Sequence, residues 1–459
     1  MSALITITIL ALLLLYLGLF KAKKALLPVA LLGLVVALVL SLMEWNSNAA
    51  PIFSDMMLYD RFAVAFSGIT IFSTILIIAL SKDYFERISS NVAEYYALIL
   101  FSLAGIILMV SYHNLSMLFI GIEIMSVSLY ILAGIKKRDF ASNEAALKYF
   151  LMGAFSTGIL LFGVTLIYGA SGSFDLEGIK QYILKDPTAV SPLLYTGITL
   201  LIVGLSFKVG AAPFHFWVPD VYEGSPSLIS AYMSTVVKVA GFAAFLRLIM
   251  FSFAPLQDFW VPMIIGMSAL SLLIGNITAV YQQHFKRMLA YSSISHVGYM
   301  LFAIIALNGS SDNAVFVYAA AYSVASIIAF GVLILLQGQV GNDSFDSFNG
   351  LARKNPFIAL TLTIAMLSLA GIPLTAGFIG KFMMFSKALS SYHIFLVVFA
   401  AINAMIGIYY YFKVIVAMYF KEEDRKEIIV PIYYKLVLGF CALVTIALGV
   451  YPDFIASLI

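Results

Sequence analysis

Apolar residues arrive in runs of roughly twenty along the whole chain, separated by short polar connections. About twenty such residues is the length an α-helix needs to cross the hydrocarbon core of a bilayer. On that ruler the chain predicts about fourteen spans, at 2–20, 26–45, 59–81, 94–111, 115–135, 145–170, 193–222, 226–251, 258–280, 288–307, 313–337, 356–389, 393–420 and 430–456. The fold class expected is an all-α polytopic membrane protein. The first run is read as a span and not as a cleaved signal peptide, because its basic residues (Lys21, Lys23, Lys24) follow it instead of preceding it.

Two runs are too long for one straight crossing, and each contains a break at a proline. The seventh reads LLIVGLSFKVGAAPFHFWVPD, with Lys208 just before Pro213. The twelfth reads LTIAMLSLAGIPLTAGFIGKFMMF, with Lys381 beyond Pro373. An ammonium near the bilayer centre costs roughly 2.5–3.5 kcal/mol on insertion scales. A break there also frees backbone groups that only protein or water can satisfy. Such sites must be enclosed and hydrated, and a pair of them in one chain points to transport. The broken spans are the seventh and the twelfth, an odd number apart, so they enter the membrane in opposite directions. Two inverted five-helix repeats, spans 4–8 and 9–13, would produce that pattern. The domains expected are an N-terminal three-helix segment (1–93), a first repeat (94–251), a second repeat (252–420) and a C-terminal loop with the last span (421–459).

Charge sets the orientation. Alternate connections hold Lys21/Lys23/Lys24, Lys82/Arg87, Lys136/Lys137/Arg138, Lys286/Arg287, Arg353/Lys354 and Lys421/Arg425/Lys426, fifteen basic residues in all. The opposite connections hold little beyond Lys180 and Lys185. The positive-inside rule then puts the first set in the cytoplasm and both termini outside.

Composition adds exclusions. The chain is 63% hydrophobic and 11% charged, against about 45–50% and about 25% for a soluble domain. A formal charge of +3 gives no reason to expect a nucleic-acid partner. A single cysteine, Cys441, leaves no disulfide framework, Cys-ligated zinc or iron–sulfur cluster to expect within this chain alone. Five histidines, at 113, 215, 284, 296 and 393, show no haem-like grouping.

The intramembrane ionisable residues are the candidate chemistry, because such groups are functional by default. Glu123 lies about mid-span in NLSMLFIGIEIMSVSLYIL, where it either works with a charge or is held neutral or hydrogen-bonded for packing. Lys208, Lys238 and Lys381 also fall mid-span. Burial opposes a lysine's charge and a nearby carboxylate supports it, so a lysine under both influences is poised to exchange a proton. The alternative is a fixed ion pair or a snorkelling chain. Glu144 and Lys148 stand four apart in the favourable order for a helical pair, either structural or a link between Glu123 and Lys208. Arg247, Lys387 and Lys413 lie close to span ends, where snorkelling explains them. His296, in LAYSSISHVGYM, has hydroxyl neighbours and is either a proton carrier or a satisfied core histidine. His215 reads as packing or hydration and His113 as a loop residue. The many Phe, Tyr and Met side chains read as packing and lipid-facing surface.

The stretches FKVGAAPFHFWVPDVYEGSP (207–226), FKRMLAYSSISHVGYM (285–300) and LAGIPLTAGFIGKF (369–382) resemble the antiporter-like membrane subunits of respiratory complex I. The resemblance covers nearly the whole chain and is strongest to the N-type subunits of bacterial proton-translocating NADH:quinone oxidoreductase. The short length, the lack of a lateral C-terminal helix, the SSISH wording and a lysine in the second broken helix favour that type. The resemblance implies proton translocation by Glu123, Lys208, Lys238 and Lys381, with Glu144, Lys148 and His296 as further charged members. It implies no cofactor on this chain; NAD, FMN, iron–sulfur clusters and quinone would belong to partner subunits. It also implies partners among the membrane-arm subunits, a paralogous antiporter-like chain and small membrane subunits among them, contact with lipid, and the bacterial inner membrane. A subunit of a multi-subunit sodium/proton antiporter or of a membrane-bound hydrogenase is the alternative within the same fold. A structural scaffold is the alternative outside it, opposed by the burial cost of the mid-membrane charges.

Overall fold

The structure is a computed structural model that describes residues 1–46, 51–88, 91–186, 190–306, 311–390, 394–422 and 427–452; Arg425, Lys426 and His393 lie outside them. An apolar chain in lipid must satisfy its backbone internally, and a helix does so within one segment. The described residues accordingly form helix joined by turns, with only isolated bridges between connections. In order these are α1 (Ser2–Leu19), α2 (Lys23–Met43), α3 (Arg61–Ala79), α4 (Val92–Ser111), α5 (Leu115–Ala133), α6 (Phe140–Ser171) and α7 (Leu176–Lys185). There follow α8 (Pro192–Val209), α9 (Trp217–Gly224), α10 (Ser227–Tyr232), α11 (Lys238–Leu248), α12 (Gln257–Val280) and α13 (Phe285–Ala306). The last are α14 (Ser311–Val340), α15 (Leu351–Lys354), α16 (Pro356–Ala370), α17 (Ala376–Ser390), α18 (Ile394–Phe420) and α19 (Ile432–Val450). Among the described residues twelve helical runs are long and apolar enough to cross a membrane, with 227–280 counted as a single run.

The chain divides into two compact units. The first comprises Met1–Trp217, Gly224–Pro226 and Val236–Ile264. Its tightest helix contacts run through glycine. A Cβ on Gly105 of α4 would stand 2.7 Å from the Gly121 carbonyl of α5, and one on Gly163 of α6 would stand 2.9 Å from the Gly197 carbonyl of α8. Small residues are what let helices approach so closely where lipid offers no hydrophobic drive. At one end the connections around 52–60, 111–114 and 172–176 interlock: Leu58 N–H donates to Ser111 O at 2.8 Å, and Leu176 N–H to His113 O at 3.0 Å. At the other end of α4 the α3–α4 and α5–α6 connections share a cleft of about 520 Å³ lined by Arg87, Tyr95, Lys136, Lys137 and Arg138.

The second unit comprises Val218–Glu223, Ser227–Thr235 and Ile265–Ile459. Its connections also gather by parity. His284 pairs with Asp343 at 2.8 Å, Arg353 with Glu422 at 2.7 Å, and Asn355 Nδ2 donates to Ile428 O at 2.8 Å. At the centre stands α14, packed against α10, α13, α16, α17 and α19, with its apolar stretch buried on every side.

Three features depart from the sequence expectation. The 171–192 connection holds α7, a short amphipathic helix that buries Leu176, Ile179 and Ile183 and is too brief for the span ruler. The eighth span is not uniform: π-helical turns at Met233–Val237 and Ile249–Phe253 flank α11. Arg247 does not snorkel. It is 1% exposed, paired with Asp60, and its guanidinium lies 4.9 Å from the Phe62 ring and 5.4 Å from that of Phe251.

Candidate functional site

The breaks fall where the prolines put them, and both are built alike. Helix α8 ends at Val209 and turns through Gly210 at φ 77°; α16 ends at Ala370 and turns through Gly371 at φ 85°. Glycine takes such angles without steric cost. Gly371 is also needed for space, since a Cβ there would stand 2.8 Å from Lys381 Cδ. Breaking a helix exposes carbonyls at the negative end of its dipole, and a cation is favoured there.

In the first unit Lys208 is itself the penultimate residue of α8. Its side chain is buried and Nζ donates to Ser126 Oγ on α5 at 2.8 Å. The Ser126 hydroxyl in turn donates to Ile122 O at 2.6 Å. Glu123 stands one turn before Ser126 and acts on Lys208 through space. Lys208 thus meets Ser126 by a hydrogen bond, and Glu123, on the preceding turn of α5, by charge. Beside it the Tyr130 ring lies 6.0 Å from Nζ and edge-on to Tyr149 at 4.8 Å; Tyr149 stacks on Trp217 at 4.8 Å. Trp217 Nε1 donates to Phe207 O at 2.9 Å, satisfying a carbonyl that the break released.

Lys238 opens α11 directly after the π-helical turn and is 1% exposed. Such turns are frequent at functional sites. Lys148 and Glu144 form their helical pair at 2.8 Å, with side chains 38% and 45% exposed. His215 packs on Phe216, ring to ring at 4.6 Å, and His113 sits in the connection between α4 and α5.

In the second unit Lys381 follows the break instead of preceding it. From the second turn of α17 it reaches back to the end of α16, donating to Leu369 O at 3.0 Å and Ala370 O at 2.9 Å. Nζ lies 4.8 Å from the Tyr299 ring. His296, 3% exposed, meets a tyrosine at each ring nitrogen: Nδ1 and Tyr318 Oη are 2.6 Å apart, Nε2 and Tyr411 Oη 2.9 Å. Which atom donates at each contact depends on the tautomer. Tyr411 is joined to the Ser292 hydroxyl, and the Tyr322 ring lies 4.8 Å from the imidazole with its own hydroxyl on Ser234 at 2.7 Å. Tyr410 donates to Asn276 Oδ1 at 2.9 Å.

Ser292 stood among the hydroxyl neighbours of His296 in the sequence; the phenols of Tyr318, Tyr322, Tyr410 and Tyr411 were not legible as chemistry, because aromatic side chains in apolar helices usually mean packing. The signal available was Tyr318 and Tyr322 four apart on α14 and the Tyr409–Tyr411 run on α18. The arrangement suits proton exchange. A tyrosine hydroxyl both donates and accepts, and a buried ammonium on helix-end carbonyls has donors to spare. Among the described residues no three His, Cys, Asp or Glu side chains gather to hold a metal ion.

A family model described as the transmembrane region of NADH:quinone oxidoreductase and Mrp antiporters matches residues 112–407. The NADH-quinone oxidoreductase subunit N of Flavobacterium psychrophilum is 40% identical over 460 residues, covering 100% of each chain. That of Cytophaga hutchinsonii is 40% identical, covering 100% of this chain and 99% of the relative. Among solved structures, a chain of respiratory complex I from Thermus thermophilus with bound aureothin matches with a TM-score of 0.85 at 31% identity, over 99% of this chain and 98% of that one. A chain of the Mrp complex from Dietzia sp. shares the fold, with a TM-score of 0.87 at 18% identity over 100% and 95%.

Proposed function

Because the chain belongs to the subunit N family of NADH:quinone oxidoreductase, we propose that its two broken helices are the sites at which it moves protons. It is a proton-translocating membrane subunit of that enzyme, driven by quinone reduction in partner chains. The observation that carries the site assignment is a buried ammonium at the carboxyl end of each broken helix. Each is held by neutral acceptors, Ser126 Oγ for Lys208 and the Leu369 and Ala370 carbonyls for Lys381.

In this reading protons move through Lys208, tuned by Glu123, and Lys238 in the first unit, and through His296 and Lys381 in the second. Glu144 and Lys148 serve at the periphery. Their exposed ion pair, two turns inside α6, would be costly against lipid and suits a neighbouring subunit. Counting 227–280 as two crossings and α16 with α17 as one broken crossing brings the apolar runs to fourteen, supporting two inverted repeats at 94–251 and 252–420. A straight helix of 54 residues would be about 81 Å long, far beyond a bilayer core of about 30 Å. The setting proposed is the bacterial inner membrane with both termini outside. The partners proposed are a paralogous antiporter-like chain, small membrane subunits and lipid; NAD, FMN, iron–sulfur clusters and quinone would be carried by other chains.

The test is Lys208→Arg in the assembled complex, because arginine keeps the charge and does not release its proton. Coupled proton uptake by inverted vesicles should fall at least about tenfold, the lower end of what positioned proton transfer contributes being ~10². Wild-type uptake would show that Lys208 is a static charge.

A further inference from the structure

Neither ring nitrogen of His296 faces an open space; each is closed by one phenol, and the two phenols come from different helices, α14 and α18. Both tyrosines are about 1% exposed. The Tyr318 ring is held against α17: a Cβ on Gly380, the residue before Lys381, would stand 2.4 Å from Tyr318 Cδ2. Tyr411 leads the other way, to the Ser292 hydroxyl. Each phenol is placed on the sole residue type that titrates near neutral pH without perturbation.

We propose that Tyr318 and Tyr411 carry protons to and from His296, making the imidazole a two-sided relay whose α14 side lies against α17, the helix that carries Lys381; this rests on the proton-translocating reading above. The step balances without any charge left on oxygen. A proton arriving from the Ser292 side binds Tyr411 Oη, and the phenol's own proton passes to Nε2. The proton on Nδ1 passes to Tyr318 Oη, whose original proton leaves to a neutral amine or water on the α17 side. One proton enters and one departs, and the ring is left as the other tautomer. It resets when the hydroxyls turn and the ring proton exchanges.

The experiment compares Tyr318→Phe, Tyr411→Phe and Lys381→Arg in the purified, reconstituted whole complex. It reads coupled proton uptake and its solvent deuterium isotope effect. Phenylalanine keeps each ring and its packing and removes only the hydroxyl. Each tyrosine variant is expected to lose at least about tenfold in coupled uptake, with an enlarged isotope effect because the proton step has become limiting. If Lys381→Arg abolishes uptake while both tyrosine variants match wild type, the relay is overturned and the functional reading stands. A fall with an unchanged isotope effect also overturns it, since packing alone would then be at work. If Lys381→Arg pumps fully, the functional reading of this unit fails first. Should one tyrosine variant fail to assemble, the other applies the same test from the opposite ring nitrogen.

Discussion

Ser126 separates two explanations of the acidic residue near Lys208. If Glu123 bonded the lysine directly, the serine would be a bystander. Instead Lys208 Nζ reaches the hydroxyl, and the carboxylate acts from one turn away. Both groups should therefore matter. A through-space interaction of about 1.4 kcal/mol alters the occupancy of the charged form tenfold, and a hydrogen bond to a charged group is worth about 1.5–3 kcal/mol. Glu123→Gln and Ser126→Ala are each expected to depress coupled proton uptake roughly tenfold in normally assembled complex. Ser128→Ala, whose hydroxyl donates only to Ile124 O in its own helix, should leave uptake unchanged. Wild-type uptake in Ser126→Ala would mean the lysine finds its way to Glu123 unaided. At this scale the titratable candidates were legible, since a charge in an apolar run stands out. Their partners were not, because serine and tyrosine in a membrane helix look the same whether they relay a proton or fill space.

At the scale of elements, Pro213 and Pro373, each a few residues after a glycine in mid-run, mark breaks, whereas Pro28 and Pro262, in the second turn of their helices, lie inside unbroken α2 and α12. The turn glycines, Gly210 and Gly371, then follow from the need for positive φ. What the sequence withheld is how an element's end is fastened to another element distant in the chain. Arg247 read as a snorkelling residue because it lies near a span end. Its actual partner, Asp60, is 187 residues away and also caps α3 by accepting from Ala63 N–H at 2.9 Å. The pair pins α11 to the start of α3. Removing one member strands a buried charge, which costs about 3–5 kcal/mol. Asp60→Asn should therefore lower the thermal stability of the purified complex and the amount assembled, with proton uptake per assembled complex preserved. Uptake lost in fully assembled complex would instead give the pair a part in conduction.

For the whole molecule, alternation of basic and non-basic connections sets the expected topology. In the second unit His284 meets Asp343, Arg353 meets Glu422 and Asn355 meets Ile428, joining connections that the charge rule had grouped. Cysteines at Lys82, Lys137 and Lys421 are expected to resist a membrane-impermeant thiol reagent in whole cells and to react in inverted vesicles. One at Lys180 should do the reverse. The native Cys441 is buried and should stay silent in both. Labelling in the opposite pattern would invert the topology and with it the direction of transport. The length of the apolar runs located the long apolar helices but gave no hint of which ones face lipid, because lipid and protein interior are equally apolar.

The full burial of α14 bears on how the molecule is made. Three of the helices that enclose it, α16, α17 and α19, leave the ribosome after it does. For the interval between, α14 must wait in the bilayer or beside the insertion machinery with one flank uncovered, although His296 and Ser234, the partners of Tyr318 and Tyr322, are already made. Its remaining residues, mostly alanine, valine, isoleucine and leucine, supply the hydropathy that holds it there. The helix is thus met by its polar partners before its apolar cover is finished, and α19, the last of the described helices, belongs to that cover.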